Sequence, residues 1–460
     1  MVINDVRRVD VVHAVLRLLP IFLIIYYIMP ASLRKWALLL GNLGFYYLNE
    51  PRLILVLIAM TAFNLLFAQL INKSGSKAAL IASAIVNVSV LGLFKFSKLA
   101  GLSLIIPLGL SYYIFKMISY QVDLYRGKIE EVSFIIATDY FLMFPQIISG
   151  PIARFSYVEN NPMWLKAEGA KKERLFKILT QIEEGLKLMV LGLFMKIIIA
   201  DHLAVLWSEL KVIGYESIST PLAWLGAYAY SLNLYFDFWG YSLMAAGIGV
   251  MLGFPFIRNF NQPYFATSIS DFYRRWHSTL GEWFKDYVYF PLGGSRKGKY
   301  RTIINIFVVW FLTGIWHGYT ANFFIWAMSI CIIIVFEKVV LSHFPKIMAV
   351  LGRINVLVII PITWIVFAIR SLSDIRLYLL RMFPVVDISV AVNKKDIVYY
   401  IEDYWIYLLL GIVFTIPVFT SFYNKHKDNV CVVLAIFIMF WIGIFSLSNS
   451  AGNPFMYLRF

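Results

Sequence analysis

Ile303-Ile304-Asn305-Ile306-Phe307-Val308-Val309-Trp310-Phe311-Leu312-Thr313-Gly314-Ile315-Trp316 carries no charge and ends on His317. A run this apolar reads as a membrane helix, and its repetition along a chain decides the fold class. An ionisable side chain at membrane depth is costly, which makes His317 a candidate functional group. Small residues surround it in Thr313-Gly314-Ile315-Trp316-His317-Gly318, and small neighbours leave room for a substrate. About forty residues upstream His277 stands in a segment dense in charges and rings. Of the six histidines these two have the most unusual surroundings.

Working outward, similar runs lie at Val11–Met29, Trp36–Tyr47, Leu53–Ile71, Leu80–Phe94, Phe134–Ile148 and Leu186–Ile199. Others lie at Leu222–Phe238, Phe323–Val340, Val356–Ile369, Tyr404–Phe422 and Val430–Leu447. A span needs about 20 residues, so the shorter runs are tilted, re-entrant or buried among other helices. The expectation is an all-α polytopic membrane protein of about 11 transmembrane helices, with interfacial and re-entrant helices, in one domain over residues 1–460. Composition agrees: 60% of residues are hydrophobic and 15% charged, against about 25% charged in soluble domains. Mean hydropathy is +0.75. A β-barrel would show short alternating segments instead. Arg7 and Arg8 precede the first run, and the many later spans favour a retained first helix over a cleaved signal.

The net charge of +15 comes from 41 Lys and Arg against 26 Asp and Glu. Basic cytoplasmic loops account for such an excess. Attraction of an anionic donor, such as coenzyme A or a carrier-protein surface, is compatible with it. The basic residues are scattered between spans, which argues against nucleic acid as a partner. Cys331 and Cys431 lie in apolar runs and supply neither a metal cluster nor a disulfide framework.

Two polar interruptions stand out. Pro162–Lys187, with Lys166, Lys171, Lys172, Arg174 and Lys177, reads as an amphipathic helix on the cytoplasmic membrane surface, against anionic lipid headgroups. Asn259–Arg301 is too polar to span and too aromatic for a free loop. Within it, helical spacing over Ser270–Tyr287 puts Phe272, Trp276, Leu280, Trp283 and Tyr287 on one face. Asp271, Arg274, Arg275, Ser278, Glu282 and Lys285 fall opposite, with His277 on the border. Pro263 and Pro291 bracket the region and Gly293-Gly294 turns the chain.

Each signal has a plain structural reading beside a functional one. His317 is either a buried histidine bonding a neighbouring helix or a group for catalysis or transport. A buried neutral imidazole suits proton abstraction, and a hydroxyl so deprotonated attacks a thioester carbonyl. His277 is a surface-helix histidine, or it orients a substrate beside Asp271, Arg274 and Arg275. Asn259-Phe260-Asn261-Gln262-Pro263-Tyr264 is a turn, or it offers amides such as Asn261 to a polar donor. Asp237, inside Phe236-Asp237-Phe238-Trp239-Gly240-Tyr241, is an ion-pair partner or a substrate contact. Ser149-Gly150-Pro151 reads as a helix terminator. Gly293–Tyr300 nearly spells a phosphate-binding loop, but Tyr300 occupies the position of the small hydroxyl and no strand precedes it.

Taken in order, a series of blocks resembles the membrane-bound O-acyltransferase family, in the branch that O-acetylates alginate. They are Phe144–Ile152, Phe236–Ser242, Asn259–Tyr264, Ser270–His277, Asp286–Gly294 and Gly314–Gly318, with the ending Phe455–Phe460 also similar. The resemblance implies tilted helices around a thin centre with funnels from both faces. It implies His317 as the catalytic histidine and His277 as the second. Asn261, Asp271, Arg274, Arg275, Trp276 and Asp237 are then the candidate substrate contacts. It also implies a cytoplasmic thioester donor, acetyl-CoA or an acyl carrier protein, with no metal and no bound cofactor. Location in the bacterial cytoplasmic membrane and an exported transferase that completes delivery to a polysaccharide complete the picture. Trp239 and Leu243 depart from the Ser and Asp common in the alginate branch, and Leu is common in the related D-alanyl transfer protein of teichoic acids. Acetyl is the expected acyl group and D-alanyl the alternative. Competing readings are an envelope glycolipid transporter, motivated by Gly- and Pro-interrupted spans, and a scaffold for an exported enzyme.

Overall fold

The computed structural model describes residues 11–130, 133–147, 150–158, 171–384, 390 and 392–449. Arg7, Arg8, Ser149, the Pro162–Ala170 part of the basic interruption and Phe455–Phe460 lie outside them. Among the described residues every regular element is a helix. Lipid explains this, because only a helix satisfies each backbone group within one segment of an open chain.

Among the described residues, seven helices are long and apolar enough to cross a membrane: Pro51–Ser74, Lys77–Ala100, Lys172–Ile213, Ala321–His343, Val350–Ala368, Asp396–Thr415 and Val430–Ser448. Leu16–Ile28 is a shorter apolar helix. The expected runs at Trp36–Tyr47, Leu222–Phe238 and Ile303–Trp316 are also helical, within Arg34–Asn49, Thr220–Met251 and Lys299–His317. The helix Val430–Asn449 turns Val430, Phe437 and Phe445 outward, more than half exposed each, as a lipid-facing helix does. The chain is thus a multi-pass, all-α membrane protein.

The chain forms two compact units. The first comprises Met1–Met189 and Ser242–Arg258. In it, helices Ile54–Ser74, Lys77–Phe96 and Leu110–Tyr125 are tied by a buried amide network. Asn64 and Asn87 exchange side-chain hydrogen bonds of 3.1 and 2.8 Å, Gln121 donates to Asn64 Oδ1 at 2.9 Å, and Ser83 donates to Gln121 at 2.6 Å. Interhelical bonds of this kind contribute about 0.6 kcal/mol each in a membrane setting.

The second unit comprises Val190–Tyr241 and Asn259–Phe460. Lys299–His317 and Ala321–Val339 form an antiparallel pair joined by a three-residue turn. Gly314 and Gly318 permit the close approach: a Cβ at Gly314 would stand 2.9 Å from Ala327 Cβ, and one at Gly318 would meet the Phe323 ring at 2.7 Å. The small residues beside His317 therefore serve helix packing, and the room expected there for a substrate is filled by Phe323 and Ala327.

Two sequence expectations are corrected here. Ser270–Tyr287 is not one helix. It is Ile269–Arg275, a break at Trp276 and His277, then Ser278–Phe284 running into a π turn at Lys285–Tyr289. The break is held by a neighbouring strand of chain: Asn261 N–H donates to Arg275 O at 3.0 Å and Ser278 N–H to Asn259 O at 2.9 Å. Those bonds compete with the i→i−4 ladder and open it. Likewise, the basic interruption is no separate surface helix in its described part. Lys171–Phe194 is continuous and leads into the Lys172–Ile213 span.

Candidate functional site

His317 ends its helix 6% exposed. Trp316 meets its ring at 4.6 Å, Trp326 and Phe367 stand edge-on at 5.1 Å each, and Phe323 stacks at 6.0 Å. Phe323 and Trp326 come from the facing helix Ala321–Val339 and Phe367 from Pro345–Ala368. Sequence periodicity alone does not bring these four rings together, because the contacts run between helices.

His277 sits at the helix break in a left-handed conformation, φ 44° and ψ 51°. A non-glycine residue held there costs about 1–2 kcal/mol, a form of strain that clusters at functional sites. The side chain is 4% exposed, and the Phe238 ring stands edge-on to it at 4.6 Å. Its Nδ1 lies 2.9 Å from Asn259 Oδ1. Thr279 also donates to that oxygen, from its hydroxyl at 2.8 Å and its backbone N–H at 3.4 Å. A backbone N–H only donates, so the atom facing it is the oxygen, and His277 must present Nδ1–H to it. The remaining nitrogen, Nε2, is buried and has no hydrogen-bond partner among the described residues. It keeps its lone pair.

Burial pushes the His277 imidazole down to about 3. An unfolded histidine titrates near 6.5, so the native state loses stability as pH falls from about 6.5 toward about 3 and loses none above that window. The expected result with ¹⁵N-histidine NMR on the intact protein is a neutral His277, protonated on Nδ1, from pH 5 to 8. A titration midpoint near 6.5 would contradict the buried assignment.

The two histidines are linked by an aromatic wall. From His317 it passes through Trp326 to Trp364 at 5.9 Å, and from Trp364 to Trp276 at 5.0 Å, the residue before His277. Trp276 is buried and also meets Phe260 at 5.1 Å. Of the other expected contacts, Asp271 takes part in its own helix start. Its N–H donates to Ser268 Oγ at 2.9 Å, and its carboxylate pairs with Arg274 at 3.1 Å and Arg275 at 2.9 Å. Burial works to raise this carboxyl, but the Arg275 hydrogen bond, the Thr267 N–H and the two guanidinium charges hold it below the usual value. Asn261 is exposed, with its backbone paired to Arg275.

Two groups escaped the sequence reading, Glu337 and Lys196, and a third, Asn259, was read there only as part of a turn or a polar contact. Asn259 fixes the His277 tautomer. Glu337, 1% exposed on the helix that carries Phe323 and Trp326, receives Ile269 N–H at 2.7 Å, Ser270 N–H at 2.9 Å and the Ser270 hydroxyl at 2.7 Å. It thereby caps the short helix that leads to His277. Lys196 is the other missed group. It sits on a π turn, Met195–Ala200, and pairs with Asp237 at 2.9 Å and with Asp201. Asp237 is thus an ion-pair partner, and it also lines a cavity of about 910 Å³. Both Glu337 and Lys196 interrupt apolar runs, and that was the available signal.

The 910 Å³ cavity has Ala368, Ile369 and Arg370 in its wall, directly after Phe367. A second cavity of about 140 Å³ is lined by Lys285, Tyr289, Ile306, Val309 and Trp310 among others. Trp310 meets Trp326 at 5.9 Å. His317 thus touches Phe367, whose chain neighbour Ala368 lines the large cavity, and Trp326, which meets Trp310 of the small one.

Residues 19–373 match the membrane-bound O-acyltransferase family. The probable alginate O-acetylase of Pseudomonas aeruginosa is 32% identical over 379 residues, covering 77% of this chain and 71% of that protein. The peptidoglycan O-acetyltransferase of Helicobacter pylori is 31% identical over 435 residues, 82% of this chain and 80% of that protein. The teichoic acid D-alanyltransferase of Bacillus subtilis is 30% identical over 237 residues, 49% of this chain and 57% of that protein.

Proposed function

The chain belongs to the membrane-bound O-acyltransferase family and is an acyltransferase, and from that premise we propose that it moves an acetyl group from a cytoplasmic thioester to an extracytoplasmic polysaccharide. The observation that supports this best is the place of His317. Of its ring contacts, Trp326 meets Trp310 of the small cavity, and Phe367 directly precedes Ala368 of the large one. Transfer between two compartments needs such a shared point.

Charge supplies the orientation. The helix Lys299–His317 starts beside Arg296, Lys297 and Arg301, and basic helix ends face the cytoplasm. The 140 Å³ cavity, with Lys285 in its lining, then receives the narrow thioester arm of coenzyme A or of a carrier protein. His317 takes the proton of the acceptor hydroxyl. The hydroxyl oxygen attacks the thioester carbonyl, the new C–O bond forms and the C–S bond breaks. The proton on the imidazole passes to the leaving thiolate, which closes the cycle.

His277 offers the Nε2 lone pair to a donor group of the substrate, and Trp276 forms the wall between the histidines. Arg274 and Arg275 reach toward anionic groups of the donor, with Asp271 holding their guanidinium groups and Asn261 beside them. The chain sits in the bacterial cytoplasmic membrane, and an exported transferase carries acyl groups on to polymer that the membrane site does not reach.

Acetyl is the acyl group of this reading, with D-alanyl the alternative. The relatives named for O-acetylation span more of this chain than those named for D-alanyl transfer. Base-labile esters of the envelope test this in cells lacking the native gene and expressing this chain. Acetate is the expected release. D-alanine would overturn the acyl assignment and leave the transfer chemistry in place.

A further inference from the structure

The helix Ile269–Arg275 already has a cap of its own. Ser268 Oγ accepts Asp271 N–H at 2.9 Å, and Ser268 O accepts Phe272 N–H at 2.8 Å. That is the usual local device for a helix start. Two backbone donors of the first turn remain, Ile269 N–H and Ser270 N–H, and at an ordinary helix end water serves such groups. Here both go to Glu337, at 2.7 and 2.9 Å, and the Ser270 hydroxyl adds a third bond at 2.7 Å. Glu337 is 1% exposed and follows the apolar run Ile332–Phe336, a costly place for a charge. Capping a seven-residue helix does not require a carboxylate from another helix.

The wider geometry gives Glu337 a second task. It stands near the end of the helix Ala321–Val339, whose first turns hold Phe323 and Trp326 against His317. Trp326 and Glu337 are separated by about 16 Å along that helix, too far for Glu337 to touch His317. The capped helix, in turn, runs straight into Trp276 and His277. Trp276 leads back to the first helix through Trp364 and Trp326. The contacts close a circuit, from Glu337 through the short helix, Trp276, Trp364 and Trp326 and back along one helix to Glu337. Its aromatic joints, at 5.0 and 5.9 Å, spread their attraction over many weak contacts and tolerate sliding. Hydrogen bonds are short and directional. The three on Glu337 therefore fix how far along the helix pair Lys299–His317 and Ala321–Val339 the His277 segment lies.

We propose that Glu337 is a positioning residue for acyl transfer, which sets the register of the His277 segment against the helix pair that carries His317. This rests on the reading that the two histidines act at one site. Both carboxylate oxygens accept, Oε1 from Ile269 and Oε2 from Ser270. Gln in that place offers one accepting oxygen and one NH₂ donor, so a donor meets a donor on one side. The short helix shifts to relieve that clash and carries His277 with it.

The test compares the full chain with its Glu337→Gln, Glu337→Asp and His317→Gln forms in nanodiscs. Acetyl-CoA is the donor, and an alginate trisaccharide or a GlcNAc–MurNAc disaccharide is the acceptor. Glu337→Gln is expected to lower kcat per mole of folded protein about 10- to 100-fold, as a misplacement near 1 Å does, and to leave KM for acetyl-CoA within about threefold. Glu337→Asp keeps two accepting oxygens on a shorter arm and is expected to retain more of kcat than Glu337→Gln. The ¹⁵N resonance of His277 Nε2 is read on the same samples without substrate, and Glu337→Gln is expected to shift it. A role in stability alone lowers the melting temperature and leaves kcat and the resonance at wild-type values, and that result overturns the proposal. An unshifted resonance overturns it whichever acceptor is used. If Glu337→Gln does not fold, Ser270→Ala, which loses one bond of the three, takes its place. A smaller loss of kcat and a smaller shift are then expected, and wild-type values of both overturn the proposal. Transfer lost with His317→Gln and intact with Glu337→Gln removes only the positioning role. Transfer that survives His317→Gln removes the reading of the site, and the proposal with it.

Discussion

Replacing His317 by Ala lowers acyl transfer by roughly 10²–10⁴-fold at matched protein abundance, the span typical of one general base. The size follows from the site. The imidazole is 6% exposed among Trp316, Phe323, Trp326 and Phe367, so bulk water has little access to replace it as a proton acceptor. Truncation to Ala also leaves a void among those rings and destabilises the helix pair Lys299–His317 and Ala321–Val339. His317→Gln separates the two effects. It fills most of the space and cannot take up a proton, so it is expected to match His317→Ala in rate and the wild type in melting temperature. Transfer rate per mole of folded protein is the measurement. Normal transfer by His317→Gln would remove His317 as the base.

Lys196→Met is the second large effect, and it acts on folding. Lys196 is 1% exposed and its ammonium faces Asp237 and Asp201. Removing the cation leaves two carboxylates together, one of them as deeply buried as the lysine was. Breaking a buried ion pair from one side costs about 3–5 kcal/mol. That is a large share of the usual net stability of a domain. Lys196→Met is therefore expected to accumulate poorly and to melt far below the wild type. Lys196→Met with Asp237→Leu is expected to recover at least half of the loss, because it removes the deeply buried carboxylate and leaves only the more exposed Asp201 without its lysine. Thermal melting of the two variants in detergent measures this. A single variant as stable as the wild type would show that the triad carries no weight in the fold.

Much of the fold was open to sequence reasoning because lipid imposes one simple rule. Apolar runs such as Val430–Leu447 must be helices, and they are. His317 was legible for the same reason, as a titratable group at the end of such a run. The partners of His317 were not. Phe323, Trp326 and Phe367 lie on two other helices, and only packing brings them in. The Ser270–Tyr287 stretch shows how periodicity misleads. Its apolar spacing fits one helix, yet two backbone bonds from Asn259 and Asn261 break it at His277. A local pattern does not reveal a competing partner from elsewhere in the chain. Gly314 and Gly318 were read as space for a substrate, whereas a helix hairpin needs them for close approach. Glu337 and Lys196 are instructive in the other direction. Each is a charge inside an apolar run, so the signal was present and their roles needed only the identity of their partners.

The most direct measurement follows labelled acyl groups through the purified chain in sealed vesicles, with acetyl thioester outside or inside and a glycan acceptor on the opposite face. Label in a base-labile glycan ester, formed by the wild type and lost with His317→Gln, is the expected result. Equal label with both forms, or label only when donor and acceptor share one face, would contradict transfer across the membrane at His317.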